Sequence, residues 1–146
     1  MPHFTQVVGA NGPIVRAFIA ASKARAKVLA DAGQPIPTPV PIEALLDTGA
    51  SCTCVDPSVF AQLGLTPTGS VSIITAGNMA EARDQYDVAL VIPDSGAPLI
   101  LETIPVVASN LLTDQGFHAL IGRDILNECV FVYSGRGGAQ FFTLAF

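Results

Sequence analysis

The sequence predicts one all-β domain, and three observations carry that expectation. Most apolar stretches are short, rich in Val, Ile and Phe, and bounded by Gly, Pro, Asn or Asp, the pattern of strands closed by turns. Helix signals are confined to residues 22–33, 57–64 and 124–129. The 146 residues are 50% hydrophobic and 13% charged, enough for a single core and too apolar for a disordered chain.

The formal net charge of −5 argues against nucleic acid as the main partner, because phosphate binding needs a basic face. A mean hydropathy of +0.51 is high for a small soluble monomer and fits further surface being hidden in a dimer. No stretch approaches the length of a membrane span, so no membrane partner is expected. The apolar run 17–21 is too short for the core of a signal peptide and leads into Lys23, Arg25 and Lys27. Three cysteines, an odd number, suggest free thiols in a reducing compartment, and a cytoplasmic location is expected.

In chain order, residues 4–8 and 14–21 are expected to be strands joined by Gly9-Ala10-Asn11-Gly12-Pro13. In residues 22–33, Ser22 can cap a helix, Ala, Lys and Arg favour one, and Gly33 can end it. The alternation in Lys23-Ala24-Arg25-Ala26-Lys27-Val28 leaves an extended hairpin arm as the alternative. Pro35, Pro37, Pro39 and Pro41 favour an extended, polyproline-like path without ladder donors. What precedes them is too short to bury a core of its own, so residues 1–146 are read as one domain.

Cys52-Thr53-Cys54-Val55 reads as a strand, and residues 57–64 as a short helix with Asp56 as cap, Pro57 at its first position and Gly64 closing it. Residues 71–75 and 84–92 are strands flanking Ala76-Gly77-Asn78-Met79, and residues 99–108 give another strand or pair of strands. Leu120-Ile121-Gly122 forms a short buried strand, followed by a helix of about two turns over residues 124–129. Residues 130–133 and 140–146 pair across Ser134-Gly135-Arg136-Gly137-Gly138, which lacks the lysine and spacing of a phosphate loop. Phe141 to Phe146 is an apolar terminal strand with no charged residue to block its edge, and pairing with a second subunit is expected there.

The chemistry centres on Ala44-Leu45-Leu46-Asp47-Thr48-Gly49-Ala50-Ser51. A buried strand delivers Asp47 into a tight turn, where Gly49 lets the backbone come close to what lies opposite. A carboxylate at the end of an apolar strand is costly unless it is hydrogen-bonded or shares a proton, and Thr48 and the turn amides are available to bond it. An Asx-turn, in which Asp47 only satisfies its own backbone, is the structural alternative.

Three segments in order resemble the retropepsin family, the aspartic proteases of retroviruses and their bacterial relatives. Ile42-Glu43-Ala44-Leu45-Leu46-Asp47-Thr48-Gly49-Ala50-Ser51 is similar to the catalytic strand and turn. Gln85-Tyr86-Asp87-Val88-Ala89-Leu90-Val91-Ile92 is similar to the strand that follows the flap. Ala119-Leu120-Ile121-Gly122-Arg123-Asp124-Ile125-Leu126 is similar to the apolar-apolar-Gly-Arg-Asp/Asn segment that opens the C-terminal helix. The resemblance implies an acid-protease barrel with one short C-terminal helix, homodimeric, with an insertion at about residues 22–40 where retroviral members have a tight turn.

It further implies an aspartic endopeptidase that cuts peptide or protein substrates without a cofactor, using Asp47, Thr48 and Gly49 of each subunit. Two close carboxylates share a proton, and since the chain offers one convincing Asp-Thr-Gly, the second Asp47 must come from a symmetry mate. The hydroxyl of Thr48 would bond across the two-fold axis. Ala50, Ser51 and the flap residues Thr75, Ala76, Gly77 and Asn78 would meet substrate, with Gly77 as a hinge. Retroviral members have Asp where Ser51 stands, paired with the arginine matching Arg123. Here Arg123 needs another partner, Asp56 or Asp124, or is solvated.

Asp94-Ser95-Gly96-Ala97 also matches the Asp-Thr/Ser-Gly pattern, but Pro93 interrupts its approach and no second apolar-apolar-Gly segment follows, so a surface turn is expected. Cys52, Cys54 and Cys129 lack the spacing of a zinc site, and His3 and His118 are isolated, so no metal is expected. The alternative function is a catalytically silent binding or dimerisation module on the same fold, a reading that Ser51 and the altered flap support.

Overall fold

The computed structural model describes all 146 residues. Six strands close into a barrel, in the ring order β2 (Ile14–Ala21), β3 (Val40–Leu46), β8 (Ala119–Ile121), β4 (Cys54–Val55), β7 (Leu99–Ala108) and β6 (Ala80–Ile92), with β6 pairing back onto β2. A seventh strand, β5 (Gly69–Ile74), hangs outside the ring on β6. Closure removes two of the edges that an open sheet would expose. A separate antiparallel sheet runs β1 (His3–Val7), β10 (Phe141–Ala145), β9 (Val130–Ser134). One core cluster of 21 buried residues spans both sheets, from Ile19, Leu90 and Ile121 in the barrel to Phe142 and Leu144 of β10. The all-β barrel expected from the sequence is therefore what the chain forms.

Alternation explains the barrel walls. Val15, Ala17, Ile19 and Ala21 of β2 are buried while Arg16 and Phe18 face out, and Val40, Ile42, Ala44 and Leu46 of β3 repeat the pattern. β3 pairs antiparallel with β2 on one side and parallel with β8 on the other, Leu46 lying opposite Ile121. That pairing sets the end of β3 beside the turn that follows β8.

Residues 22–33 form a capped helix, α1 (Lys23–Asp31), and not a hairpin arm. Ser22 caps it by accepting from the N–H of Arg25 at 3.2 Å, and Gly33 follows at φ +65°. Residues 34–39, which hold three of the prolines, form no ladder and lie largely exposed before β3 begins.

Helix α2 (Pro57–Gln62) has the expected cap at Asp56, and Phe60 stacks on Tyr86 of β6 with centroids 3.8 Å apart. Helix α3 (Leu111–Gln115) is absent from the sequence reading. Its nearest cap candidate, Asn110, makes no side-chain capping bond; the second carboxylate oxygen of Asp56 accepts from the N–H of Leu112 at 2.9 Å instead. One buried aspartate thus serves two helix starts.

Two expectations need correction. The C-terminal helix, α4 (Arg123–Leu126), is a single turn and not two, because Glu128 and Cys129 bond back three residues, to Ile125 and Leu126, as the chain turns into β9. The terminal strand is not an open edge: β10 lies between β1 and β9, with both of its sides paired within the chain. The free edges of this sheet belong to β1 and β9, so pairing with a second subunit through β10 is excluded in this arrangement. No helix is long and apolar enough to cross a membrane.

Candidate functional site

Asp47 sits at the C-terminal end of β3, directly after the buried Leu46. Its backbone N–H donates to the carbonyl of Ile121 at 3.0 Å, so the turn starts from the β3–β8 pairing. The Oδ1 oxygen accepts from the N–H of Gly49 at 2.8 Å, and Oδ2 has no hydrogen-bond partner in the chain. The half-buried carboxylate is therefore anchored through one oxygen only. The bond to Gly49 is the Asx-turn contact foreseen as the structural alternative, and it leaves the second oxygen available. A Cβ on Gly49 would stand 3.0 Å from Oδ1, so glycine here permits the close approach.

The rest of the turn is held from the β8–α4 junction. Arg123 donates from Nη1 to the carbonyl of Thr48 at 2.7 Å, and its backbone N–H donates to the carbonyl of Ala50 at 2.9 Å. The expected carboxylate partners of Arg123 are not used, because both are engaged elsewhere. Asp56 accepts from Ser58 and Leu112, and Asp124 accepts from the N–H and Oγ1 of Thr53, each at 2.8 Å. Thr53, 1% exposed, accepts in turn from the N–H of Gly122 at 3.1 Å. A Cβ on Gly122 would lie 2.7 Å from the backbone C and O of Cys52, so this glycine is required by contact and not by its φ of −90°.

Beside the turn opens a cavity of about 720 Å³. It is lined by Gly49, Ala50 and Ser51, by Val71 and Ile73 of β5, and by Pro105, Val107 and Leu120. Gln85, Asp124, Cys52 and Cys54 supply its polar and sulfur atoms. Of the residues singled out in the sequence, Gly49, Ala50 and Ser51 are brought to this cavity. Asp47 and Thr48 directly precede Gly49 in the turn but do not line the cavity, and neither do the hairpin-tip residues Thr75, Ala76, Gly77 and Asn78.

The β5–β6 hairpin carries the residues expected to act as a flap, and its β5 strand contributes Val71 and Ile73 to the cavity lining. Its tip is closed by Thr75, which donates from its N–H to Met79 at 3.0 Å and accepts from the N–H of Asn78 at 2.8 Å. The left-handed residue is Asn78, at φ 57°, and not Gly77. Sequence reasoning missed the cavity contribution of β5, although the period-two run Val71-Ser72-Ile73 was a signal that one face meets something apolar.

The remaining candidates fall where the sequence suggested or take structural roles. Asp94 lies in the loop between β6 and β7, its Oδ1 accepting from the N–H of Ser95 at 2.7 Å. His118 accepts at Nδ1 from the N–H of Glu43 at 3.2 Å, a contact that braces β3. Cys129 donates to the carbonyl of Ile125 at 3.6 Å, and no group of three or more His, Cys, Asp or Glu side chains is arranged to hold a metal.

Burial works to raise the Asp56 carboxyl, but the hydrogen bonds from Ser58 and Leu112 outweigh it and hold the group below its ordinary value. Burial, followed by the neighbouring Cys52, pushes the Cys54 thiol up to about 12. Burial likewise raises Cys129, with a smaller push from Glu128.

Comparison with known proteins gives a consistent family. Residues 28–125 match the model of a family described as aspartyl protease. The chain resembles the crystal structure of a retropepsin-like aspartic protease from Rickettsia conorii, at 17% identity and a TM-score of 0.55, over 99% of this chain and 93% of that one. It also aligns with an EIAV protease complexed with the inhibitor HBY-793, at 16% identity and a TM-score of 0.44, over 80% of this chain and 86% of the other. The Rickettsia likeness extends over the whole barrel and establishes a retropepsin-like fold.

Proposed function

Because the chain belongs to the aspartyl protease family, we propose that it is an aspartic endopeptidase acting as a homodimer, with one Asp47 from each subunit flanking a shared water. The observation that carries this reading is the singly anchored carboxylate. Asp47 is fixed through Oδ1 to Gly49 while Oδ2 has no partner in its own chain. A carboxylate held in this way is oriented yet free to meet water and a second carboxylate.

Two carboxylates at close range cannot both ionise, so the pair holds one proton between them. The ionised member takes a proton from the water, which attacks the scissile carbonyl carbon. The protonated member gives its proton to the carbonyl oxygen as the tetrahedral intermediate forms. Collapse of that intermediate breaks the C–N bond, with a proton passed to the leaving amine. Acid and base both come from the pair, and the reaction calls for no cofactor.

Thr48 suits the linking role across the two-fold axis: its carbonyl is engaged by Arg123, whereas its exposed hydroxyl has no partner in the chain. The substrate backbone would run past Gly49, Ala50 and Ser51, with Thr75, Ala76, Gly77 and Asn78 descending onto it when the hairpin closes. Three free cysteines suit the reducing cytoplasm.

The test is a peptide-library digest with wild type and Asp47→Asn, beside thermal melts of both. The near-isosteric amide can keep the Gly49 bond but cannot act as a base. Loss of cleavage with an unchanged melt is the expected result, together with inhibition of wild type by a hydroxyl-containing transition-state mimic. Full cleavage by a folded Asp47→Asn protein overturns the assignment. A well-folded wild-type dimer that cuts nothing would favour the silent binding module.

A further inference from the structure

We propose that Cys52 and Cys54 form a redox-active thiol pair on the wall of the cavity, which peroxide converts to a Cys52–Cys54 disulfide that hinders peptide entry. The hindrance rests on the protease reading above; the disulfide itself does not.

The placement of the pair supports it. Both cysteines line the cavity, while Thr53 between them is 1% exposed and bonded into the protein through Asp124 and Gly122. In an extended segment the residues on either side of an inward-pointing one share the opposite face, so both thiols are presented to the cavity. Cys54 Sγ is 3.9 Å from the carbonyl of Cys52, which keeps it folded back towards its neighbour. Residues two apart in an extended chain have Cα atoms about 6.6 Å apart, at the upper end of what a disulfide spans.

The two thiols divide the chemistry. Cys54 donates from Sγ to the carbonyl of Cys52, whereas the Cys52 thiol makes no such bond in the chain, which makes Cys52 the attacking member. The Cys52 thiolate attacks one oxygen of hydrogen peroxide; the O–O bond breaks, hydroxide leaves, and Cys52 becomes a sulfenic acid. The sulfur of Cys54 then attacks that of Cys52 and expels hydroxide, which leaves as water with the Cys54 proton. In sum, two thiols and one peroxide give one disulfide and two waters. Closing the bridge draws the two Cβ atoms together while Thr53 stays clamped, so the displacement falls on Ser51 and the cavity wall.

Cys129 is an internal control, since it bonds to the carbonyl of Ile125 and does not line the cavity. Cleavage after Lys27, Arg83, Arg123 and Arg136 separates it from a fragment carrying both Cys52 and Cys54. The full-length protein is treated with hydrogen peroxide, alkylated and mapped by mass, and peptide cleavage is followed in parallel. The expected result is loss of two hydrogens confined to the fragment with Cys52 and Cys54, with Cys129 still alkylated. Cleavage should fall by about tenfold or more, and dithiothreitol should reverse both changes. Cys54→Ser should accumulate oxygen adducts on Cys52 in place of the bridge.

Two alkylatable thiols in that fragment after peroxide, oxidation at Cys129 alone, or a bridge joining two subunits would overturn the pair. A bridge that leaves cleavage unchanged would overturn the hindrance. A protein that forms the bridge but never cleaves would instead count against the protease reading, and the mass map tells these outcomes apart.

Discussion

Arg123 donates from Nη1 to the carbonyl of Thr48 at 2.7 Å, so the β8–α4 turn grips the residue beside Asp47 by its backbone. No carboxylate is involved. The two carboxylates that could have served, Asp56 and Asp124, are taken by other donors, so the arginine is anchored to a neutral backbone carbonyl instead.

From this contact we predict that Arg123→Leu lowers kcat by about tenfold or more with little change in KM for a short peptide. The substitution removes one charge-assisted bond, worth about 1.5 kcal/mol at an exposed site, so the fold should survive with a modest drop in Tm. Arg123→Lys should recover part of kcat, since an ammonium can reach one carbonyl without the guanidinium plane. The measurement is steady-state kinetics beside a melt. A loss of Tm without a kcat effect would make the contact purely structural.

Gly122 gives the sharpest stability prediction. Its missing Cβ would meet the Cys52 carbonyl carbon and oxygen at 2.7 Å and the Ala50 oxygen at 3.1 Å, all backbone atoms. Gly122→Ala must push the segment from Ala50 to Thr53 away, lengthening the Gly122–Thr53 and Arg123–Ala50 bonds. Overpacking of this kind costs about 1–3 kcal/mol, read as a lower urea midpoint at unchanged slope. An unaltered midpoint would mean that the segment relaxes freely.

The sequence made the barrel legible because burial alternates so regularly along β2 and β3, and because Asp56-Pro57 and Gly64 mark both ends of α2. Its shortfalls have a common cause, namely long-range bonds that no local pattern encodes. Helix α3 draws its cap from Asp56, a residue 56 positions away. The placement of β10 depends on β1, whose first residue His3 pairs with Ala145 across nearly the whole chain. At the site, Asp47 and its turn were legible from an apolar strand ending in Asp-Thr-Gly. The cavity was not, because its walls come from β5, β7 and the segment around Cys54, which the pairings of β5 with β6, β6 with β7 and β4 with β7 bring together.

Asp56 ties stability to pH. Its carboxyl lies below the ordinary aspartate value of 3.8 when folded, with the opposing effect of burial overcome by bonds from Ser58 and Leu112. Such a group stabilises fully above its unfolded pKa, and the contribution disappears as pH falls through the lower folded value. Wild type should exceed Asp56→Asn by about 1–2 kcal/mol at pH 6, because the amide can offer only one oxygen and leaves either Ser58 or the N–H of Leu112 without its acceptor. The gap in Tm should hold down to about pH 5 and shrink below about pH 4. A gap that is constant down to pH 3 would show that the ionised oxygen contributes nothing beyond its shape.

The paired-carboxylate mechanism makes its strongest commitment in mixtures of subunits. Each chain carries one Asp-Thr-Gly at the end of a buried strand, and a lone carboxylate cannot be acid and base at once. Cleavage per chain should therefore fall on dilution below the dimer dissociation constant. A folded Asp47→Asn chain should also poison wild type as subunits exchange. With random exchange at equal amounts, about half of the dimers are mixed and about a quarter are wild type on both sides. If mixed dimers are inactive, cleavage drops to about half of what the wild-type chains gave before mixing. Exchange is verified first by tag pull-down, so that an absent effect can be interpreted. Unchanged cleavage despite proven exchange would mean that one Asp47 suffices, and the unbonded Oδ2 of Asp47 would then need a partner from within its own chain.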